Sequence, residues 1–136
     1  MVFVNNATYG MTGGQMAPTT LPQQRSTSTP EGRDPRRAGH PMKVCELLAS
    51  QDGPAYIARV AVNSPANVAR AKAAIRKAFR TQQAALGFSL VEVLSTCPTN
   101  WGLSPHDALI WVKEHMLPYY PLGEYKVTEA VSLLAQ

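Results

Sequence analysis

At 136 residues, 45% of them apolar and 16% charged, the chain has the size and composition of one soluble domain with a core of its own. No apolar run reaches the ~20 residues a bilayer demands, no secretory signal pattern opens the chain, and two cysteines make neither a disulfide framework nor a zinc spacing, so a reducing, cytoplasmic setting is expected. The net charge of +4 gathers in Arg25, Arg33, Arg36 and Arg37 and again in Arg70, Lys72, Arg76, Lys77 and Arg80, but without interleaved aromatics or a nucleic-acid motif, so neither nucleic acid nor membrane is an expected partner.

Residues 1–4 read as a short buried strand. It runs into the paired amides Asn5 and Asn6 and then a loop carrying Gly10, Gly13 and Gly14. Polar atoms at the C-terminal end of a parallel strand mark the place where open α/β sheets take their ligands. The glycines allow close approach and positive φ. No Lys-Ser or Lys-Thr follows them, so the loop is not a P-loop. The amide oxygens suit Mg²⁺, which takes a few protein oxygens and completes its shell with water and phosphate.

Residues 5–41 are too rich in Gly, Pro, Ser, Thr and Asn for a long element, and a stretch of this length is functional or disordered. A short helix is expected over 41–50, with Val44, Leu47 and Leu48 on its apolar face. Residues 55–62 read as a strand that is apolar on both faces apart from Arg59, a pattern of parallel sheets covered by helices. Ser64-Pro65 is a helix start, and the helix is expected to run to Leu86 with Gly87 as its stop. Its predicted apolar stripe is Val68, Ala71, Ile75 and Phe79, and its basic face is read as solvated surface. A strand over 88–94, a loop through Cys97, a helix over His106–Met116 broken by Pro118 and Pro121, and a strand or short helix over 126–136 complete the chain. The alternation implies an α/β fold with a parallel sheet flanked by helices.

The run Asn5-Asn6-Ala7-Thr8-Tyr9-Gly10-Met11-Thr12-Gly13-Gly14-Gln15 followed by Ala17-Pro18-Thr19-Thr20 resembles the thiamine-diphosphate loop of 2-oxoacid:ferredoxin oxidoreductase β subunits. Gly32-Arg33-Asp34, Pro54 to Arg59 and the segment from Gly87 through Cys97-Pro98-Thr99-Asn100-Trp101 agree with the same family in register. The Met-Thr-Gly-Gly-Gln form looks most like the branches acting on 2-oxoglutarate, the first expectation, or on branched-chain 2-oxoacids.

The resemblance implies the C-terminal part of a thiamine-diphosphate-binding fold. In it Asn6 would bind Mg²⁺ through its side chain and Thr8 through its backbone carbonyl. Tyr9, Gly10, Met11 and Thr12 would line the cofactor, with Met11 as its apolar support. Cys97 would be the remote fourth ligand of a [4Fe–4S] cluster, since four thiolates hold such a cluster. Cys45, beside Leu47 and Leu48, reads as a packing residue. The implied reaction is oxidative decarboxylation of a 2-oxoacid to an acyl-CoA and CO₂ with reduction of ferredoxin.

The family also needs an aspartate from a Gly-Asp-Gly motif ahead of the asparagine, and three further cysteines, and this chain carries neither. It is therefore expected to be the C-terminal portion of the subunit, inactive alone. Its expected partners are an N-terminal half, an α subunit, ferredoxin, coenzyme A and the 2-oxoacid. The alternatives are a catalytically silent remnant kept as an interaction domain, and an unrelated α/β phosphate-binding module.

Overall fold

The computed structural model describes residues 1–134. Four strands form one sheet in the order β1 (Val2–Asn5), β3 (Phe88–Leu94), β2 (Pro54–Ala61), β4 (Gly123–Val127). The first three run parallel, and β4 joins the edge antiparallel to β2. The fold class expected from the sequence is thus observed, with one antiparallel strand at an edge. Alternation along the strands sorts the sheet's two faces. Ala58, Val60, Val91 and Val93 meet helix α3 (Pro65–Gln83) on one face. Ile57, Arg59, Ala61, Leu90, Glu92 and Leu94 turn to the other. There α2 (Val44–Ala49) and the helical segments that follow α4 (Pro98–Trp101) cover them.

Helix α3 (Pro65–Gln83) starts as expected, with the Ser64 hydroxyl accepting from the Asn67 amide at 3.3 Å. Its buried stripe is Ala71, Ala74, Ala78 and Thr81, while Phe79 is 61% exposed. Small residues let the helix axis sit close to the sheet, so the larger Phe79 is turned outward. The helix also stops before Gly87. Ala85 takes φ +53°, and the Leu86 amide reaches back to the Thr81 carbonyl at 3.1 Å, a Schellman-type end built on alanine. In α2 the inward residue is Cys45, and Leu47 faces solvent.

Pro118 does not break the last long helix. From α5 (Pro105–Trp111) the chain widens into a π-helical turn over Val112–Met116 and continues as α6 (Leu117–Tyr119). A proline ring clashes with the carbonyl four residues back and donates no hydrogen bond. The wider turn, in which the Leu117 amide reaches the Val112 carbonyl, accommodates it. Residues 126–134 split between the end of β4 and helix α7 (Glu129–Leu133), and the rest of the expected 126–136 element lies outside the described residues.

The long segment between β1 and α2 is ordered around one side chain. Arg33, 4% exposed, donates to the carbonyls of Ala17, Pro18, Thr20, Ala38, Gly39 and His40 at 2.9–3.2 Å. A planar guanidinium with five N–H groups suits such a ring of acceptors. Arg33 is therefore a staple of the loop, while Arg25, Arg36 and Arg37 of the same basic cluster stay exposed. The short helix α1 (Pro35–Ala38) is capped by Asp34 and lies inside this stapled region.

Candidate functional site

Strand β1 delivers the chain to a turn at its C-terminal end. Asn5 is buried, with Nδ2 donating to Glu92 Oε1 at 2.7 Å and Oδ1 accepting from the Ala7 amide at 3.0 Å. Asn6 Oδ1 accepts from the Thr8 amide at 3.3 Å, at the long limit of a hydrogen bond. Ala7 between them takes φ +54°, and its carbonyl receives the Thr20 hydroxyl at 2.7 Å and Gln24 Nε2 at 3.1 Å. The turn is thus clamped from both sides of Ala7. The Thr8 carbonyl has no hydrogen-bond donor among the described residues.

Beyond Thr8 the chain forms a narrow hairpin. Tyr9 and Gln15 bridge antiparallel, and the Gly14 amide donates to the Tyr9 carbonyl at 2.8 Å. At the tip, the consecutive amides of Gly10, Met11 and Thr12 donate to no acceptor among the described residues, and the Met11 side chain is fully exposed. A cleft of about 230 Å³ opens beside the turn, lined in part by Asn6, Thr8, Ala17, Pro18, Thr19 and Met42.

The hairpin leans on α4. Asn100 Nδ2 donates to the Gly10 carbonyl at 3.0 Å and to Cys97 Sγ at 3.1 Å. A Cβ on Gly10 would stand 2.9 Å from Cys97 Sγ, and one on Gly14, which has φ +79°, would stand 2.7 Å from Asn100 Oδ1. Two of the loop's glycines are therefore required by close approach to this helix. The structure brings all the sequence-predicted site residues, Asn6 to Thr12 and the distant Cys97, to one end of the sheet.

Behind the turn lies a buried charged network. Arg59 Nε donates to Glu92 Oε2 at 2.7 Å, and its remaining nitrogens reach both Glu46 oxygens at 2.6 and 3.1 Å and the Tyr125 hydroxyl at 2.6 Å. Burial works against the Arg59 cation, but Glu46 and Glu92 outweigh it and hold its pKa above the ordinary value. Burial likewise favours the neutral form of Glu46, and its bonds to Arg59 prevail, leaving the carboxyl below the usual range. Cys45 Sγ donates to Glu92 Oε2 at 3.1 Å, and burial next to that carboxylate pushes its thiol far up.

This geometry fits some groups and not others. Neutral oxygens at Asn6 and Thr8 beside three free amides suit a cation bridging to a phosphate, with the amides receiving the anion. Mg²⁺ also calls for a carboxylate, and no cluster of three or more His, Cys, Asp or Glu groups exists among the described residues. A four-thiolate cluster does not fit this chain alone, because only Cys97 is accessible while Cys45 is fully buried and committed to Glu92.

The profile of the thiamine pyrophosphate enzymes' C-terminal TPP-binding domain matches residues 1–93. The chain belongs to this family. The chain is 45% identical over 124 residues to ketoisovalerate oxidoreductase subunit VorA of Methanothermobacter thermautotrophicus, covering 91% of this chain and 26% of the relative. It is 37% identical over 114 residues to 2-oxoglutarate synthase subunit KorB of Archaeoglobus fulgidus, covering 84% of this chain and 38% of that one. The chain thus spans about a quarter to two fifths of these relatives. In fold it is similar to a 2-oxoglutarate:ferredoxin oxidoreductase from Magnetococcus marinus, with a TM-score of 0.63 at 24% identity over 99% of this chain and 50% of that one. The resemblance to 2-oxoacid:ferredoxin oxidoreductase subunits is borne out.

Sequence reasoning missed several residues that shape the glycine-rich loop. Asn100 ties the hairpin to Cys97, and Asn5 is a structural anchor, although it had been paired with Asn6 as an oxygen ligand. The signal for the Arg59–Glu92 pair was present. Each is a lone charge in an otherwise apolar strand, and the parallel register sets them opposite one another. No helix among the described residues is long and apolar enough to cross a membrane.

Proposed function

We propose that this chain supplies the metal and diphosphate side of a thiamine-diphosphate site in a 2-oxoacid:ferredoxin oxidoreductase. The observation carrying this reading is that one loop presents two oxygen ligands, Asn6 Oδ1 and the Thr8 carbonyl, beside the free amides of Gly10, Met11 and Thr12. Such a pairing of cation ligands and anion donors is what a metal-bridged diphosphate requires. Its membership in the TPP-binding family supports the same assignment.

In this reading Asn6 and Thr8 would hold Mg²⁺, and the free amides of Gly10, Met11 and Thr12 would receive the diphosphate oxygens. Met11 stands fully exposed, ready to be covered by the cofactor it would support. When bound, thiamine diphosphate supplies the carbon nucleophile for decarboxylation, and this chain's own residues position it and shield it. Cys97 contributes one thiolate to a [4Fe–4S] cluster whose other ligands come from residues outside this chain. The remaining Mg²⁺ carboxylate comes from the same source, the N-terminal half of the subunit. An α subunit, ferredoxin, coenzyme A and the 2-oxoacid complete the set of partners, in the cytoplasm. The 45% identity to a ketoisovalerate subunit, against 37% to a 2-oxoglutarate one, favours a branched-chain 2-oxoacid over the 2-oxoglutarate first expected.

Co-expression with an N-terminal half and an α subunit tests the activity. The assembled complex should reduce a low-potential dye only when a 2-oxoacid and coenzyme A are both present, faster with 2-oxoisovalerate than with 2-oxoglutarate. A complex that holds cofactor and cluster yet turns over no 2-oxoacid would leave the chain as a silent interaction domain.

A further inference from the structure

The buried Glu92 is joined to the loop by a chain of hydrogen bonds with a fixed polarity. Its Oε2 takes two donors, Arg59 Nε at 2.7 Å and Cys45 Sγ at 3.1 Å. Its Oε1 faces Asn5 at 2.7 Å, and a carboxylate can only accept, so Nδ2 of the Asn5 amide must be the atom turned toward it. That leaves Asn5 Oδ1 directed at the Ala7 amide, 3.0 Å away. Both Asn5 and Glu92 are at most 1% exposed, so bulk water does not compete for either role.

We infer that Glu92 is a positioning residue: through Asn5 it dictates which end of an amide meets Ala7, and so fixes the turn between Asn6 and Thr8. Ala7 holds φ +54°, a conformation an alanine adopts only when its surroundings impose it. The functional consequence rests on reading Asn6 and Thr8 as the metal-side ligands; the relay itself does not.

The polarity makes the idea sharp. In Glu92→Gln the new amide turns its oxygen to the two donors, Arg59 and Cys45, and its NH₂ meets the NH₂ of Asn5. If Asn5 turns over to relieve this, its NH₂ then opposes the Ala7 amide. Either way a buried donor loses its acceptor. In Asn5→Asp a carboxylate faces the Glu92 carboxylate. The double substitution restores the pattern, because the amide at position 92 donates to the carboxylate at position 5, whose second oxygen accepts from Ala7. A residue that merely fills space would not show this reciprocal rescue.

Amide hydrogen exchange at Ala7 and Thr8 in the 136-residue chain reads the relay directly. Each single variant should exchange at least about tenfold faster than wild type, the loss of one buried bond, while the double returns to within about threefold. The amides of Val91 and Val93 report that the sheet stays folded. Wild-type exchange in Glu92→Gln overturns the proposal, as does a double variant no better protected than the singles. If the singles fail to fold, a folded double supports it and an unfolded double overturns it. In the assembled complex, the Mg²⁺ concentration needed for thiamine diphosphate binding should rise in the singles and recover in the double. Recovery of exchange without any change in Mg²⁺ dependence would contradict the ligand roles of Asn6 and Thr8 and leave the relay standing.

Discussion

Replacing Arg33 by methionine removes a buried cation and its hydrogen bonds to six carbonyls, of which those of Ala17 and Pro18 keep a backbone donor and those of Thr20, Ala38, Gly39 and His40 do not. A net hydrogen bond contributes about 0.5–1.5 kcal/mol, so six bracket about 3–9 kcal/mol before relaxation. Domains of this kind have total stabilities of about 5–15 kcal/mol, so the loop should detach before the sheet unfolds. The loop then regains backbone entropy of about 1–2 kcal/mol per freed residue, which limits the cost to the lower end of the range. Arg33→Met should therefore become cleavable by protease between residues 17 and 40 while the β2 and β3 amides stay protected. Its urea stability should fall by about 3–4 kcal/mol. Arg33→Lys keeps the charge but replaces the planar fork by a point charge, and should recover less than half of the loss. Wild-type protease resistance in Arg33→Met, or a fall below about 1 kcal/mol, would refute the staple.

Gly14→Ala forces a Cβ to 2.7 Å from Asn100 Oδ1 at φ +79°, and should cost about 1–3 kcal/mol while displacing α4. The same displacement should expose Cys97 and raise its rate of reaction with a thiol reagent. In the native wild type only Cys97 should react, because Cys45 is fully buried and burial pushes its thiol far up; reaction of two thiols without denaturant would count against this. Acid should weaken the fold through Glu46. Burial favours its neutral form, but Arg59 holds its folded value below the usual 4.5, so the stability it carries is present above that pH and is lost as pH falls through the lower folded value. Glu46→Gln should flatten the decline in urea midpoint between about pH 5 and 3, and an unchanged decline would assign the acid sensitivity to other groups.

Much of the architecture was legible because local rules and tertiary packing agree. Ser64-Pro65 starts its helix with the hydroxyl cap that the residues promise, and the Ser104 hydroxyl caps α5 in the same way. The apolar strands 54–61 and 88–94 pair in parallel, as buried strands on both faces do. Rules failed where a neighbour in space outweighed a neighbour in sequence. Gly87 was an attractive helix stop, yet the helix closes two residues earlier on Ala85, and Gly87 instead turns the chain into β3 at φ +127°. Phe79 looked like core, but the fully buried stripe of that helix is Ala71, Ala74, Ala78 and Thr81, with Ile75 at its margin, and Phe79 falls outside it. Pro118 looked like a break, and the π-helical turn before it could not be read from composition.

The site divides in the same way. The glycine-rich loop stood out because its glycines and amides form one contiguous run, and Cys97 was tied to it only through the family resemblance. Asn100, Glu92 and Arg59 could not be placed beside that loop without the register of β2, β3 and β1, since 33 residues separate the buried ion pair and 87 separate Asn5 from Glu92. A charge in an apolar strand signals a partner, but periodicity does not say which one.

The central claim is that the turn at Asn6 and Thr8 holds a metal-bridged diphosphate. Calorimetric titration of thiamine diphosphate into the complex assembled with the N-terminal half and α subunit, with and without Mg²⁺, tests it most directly. Tight binding that requires Mg²⁺ in the wild type, weakened at least about 100-fold by Asn6→Ala, is the predicted result, by the cost of losing a direct metal ligand. Binding of the same affinity without Mg²⁺, or in Asn6→Ala, would contradict it.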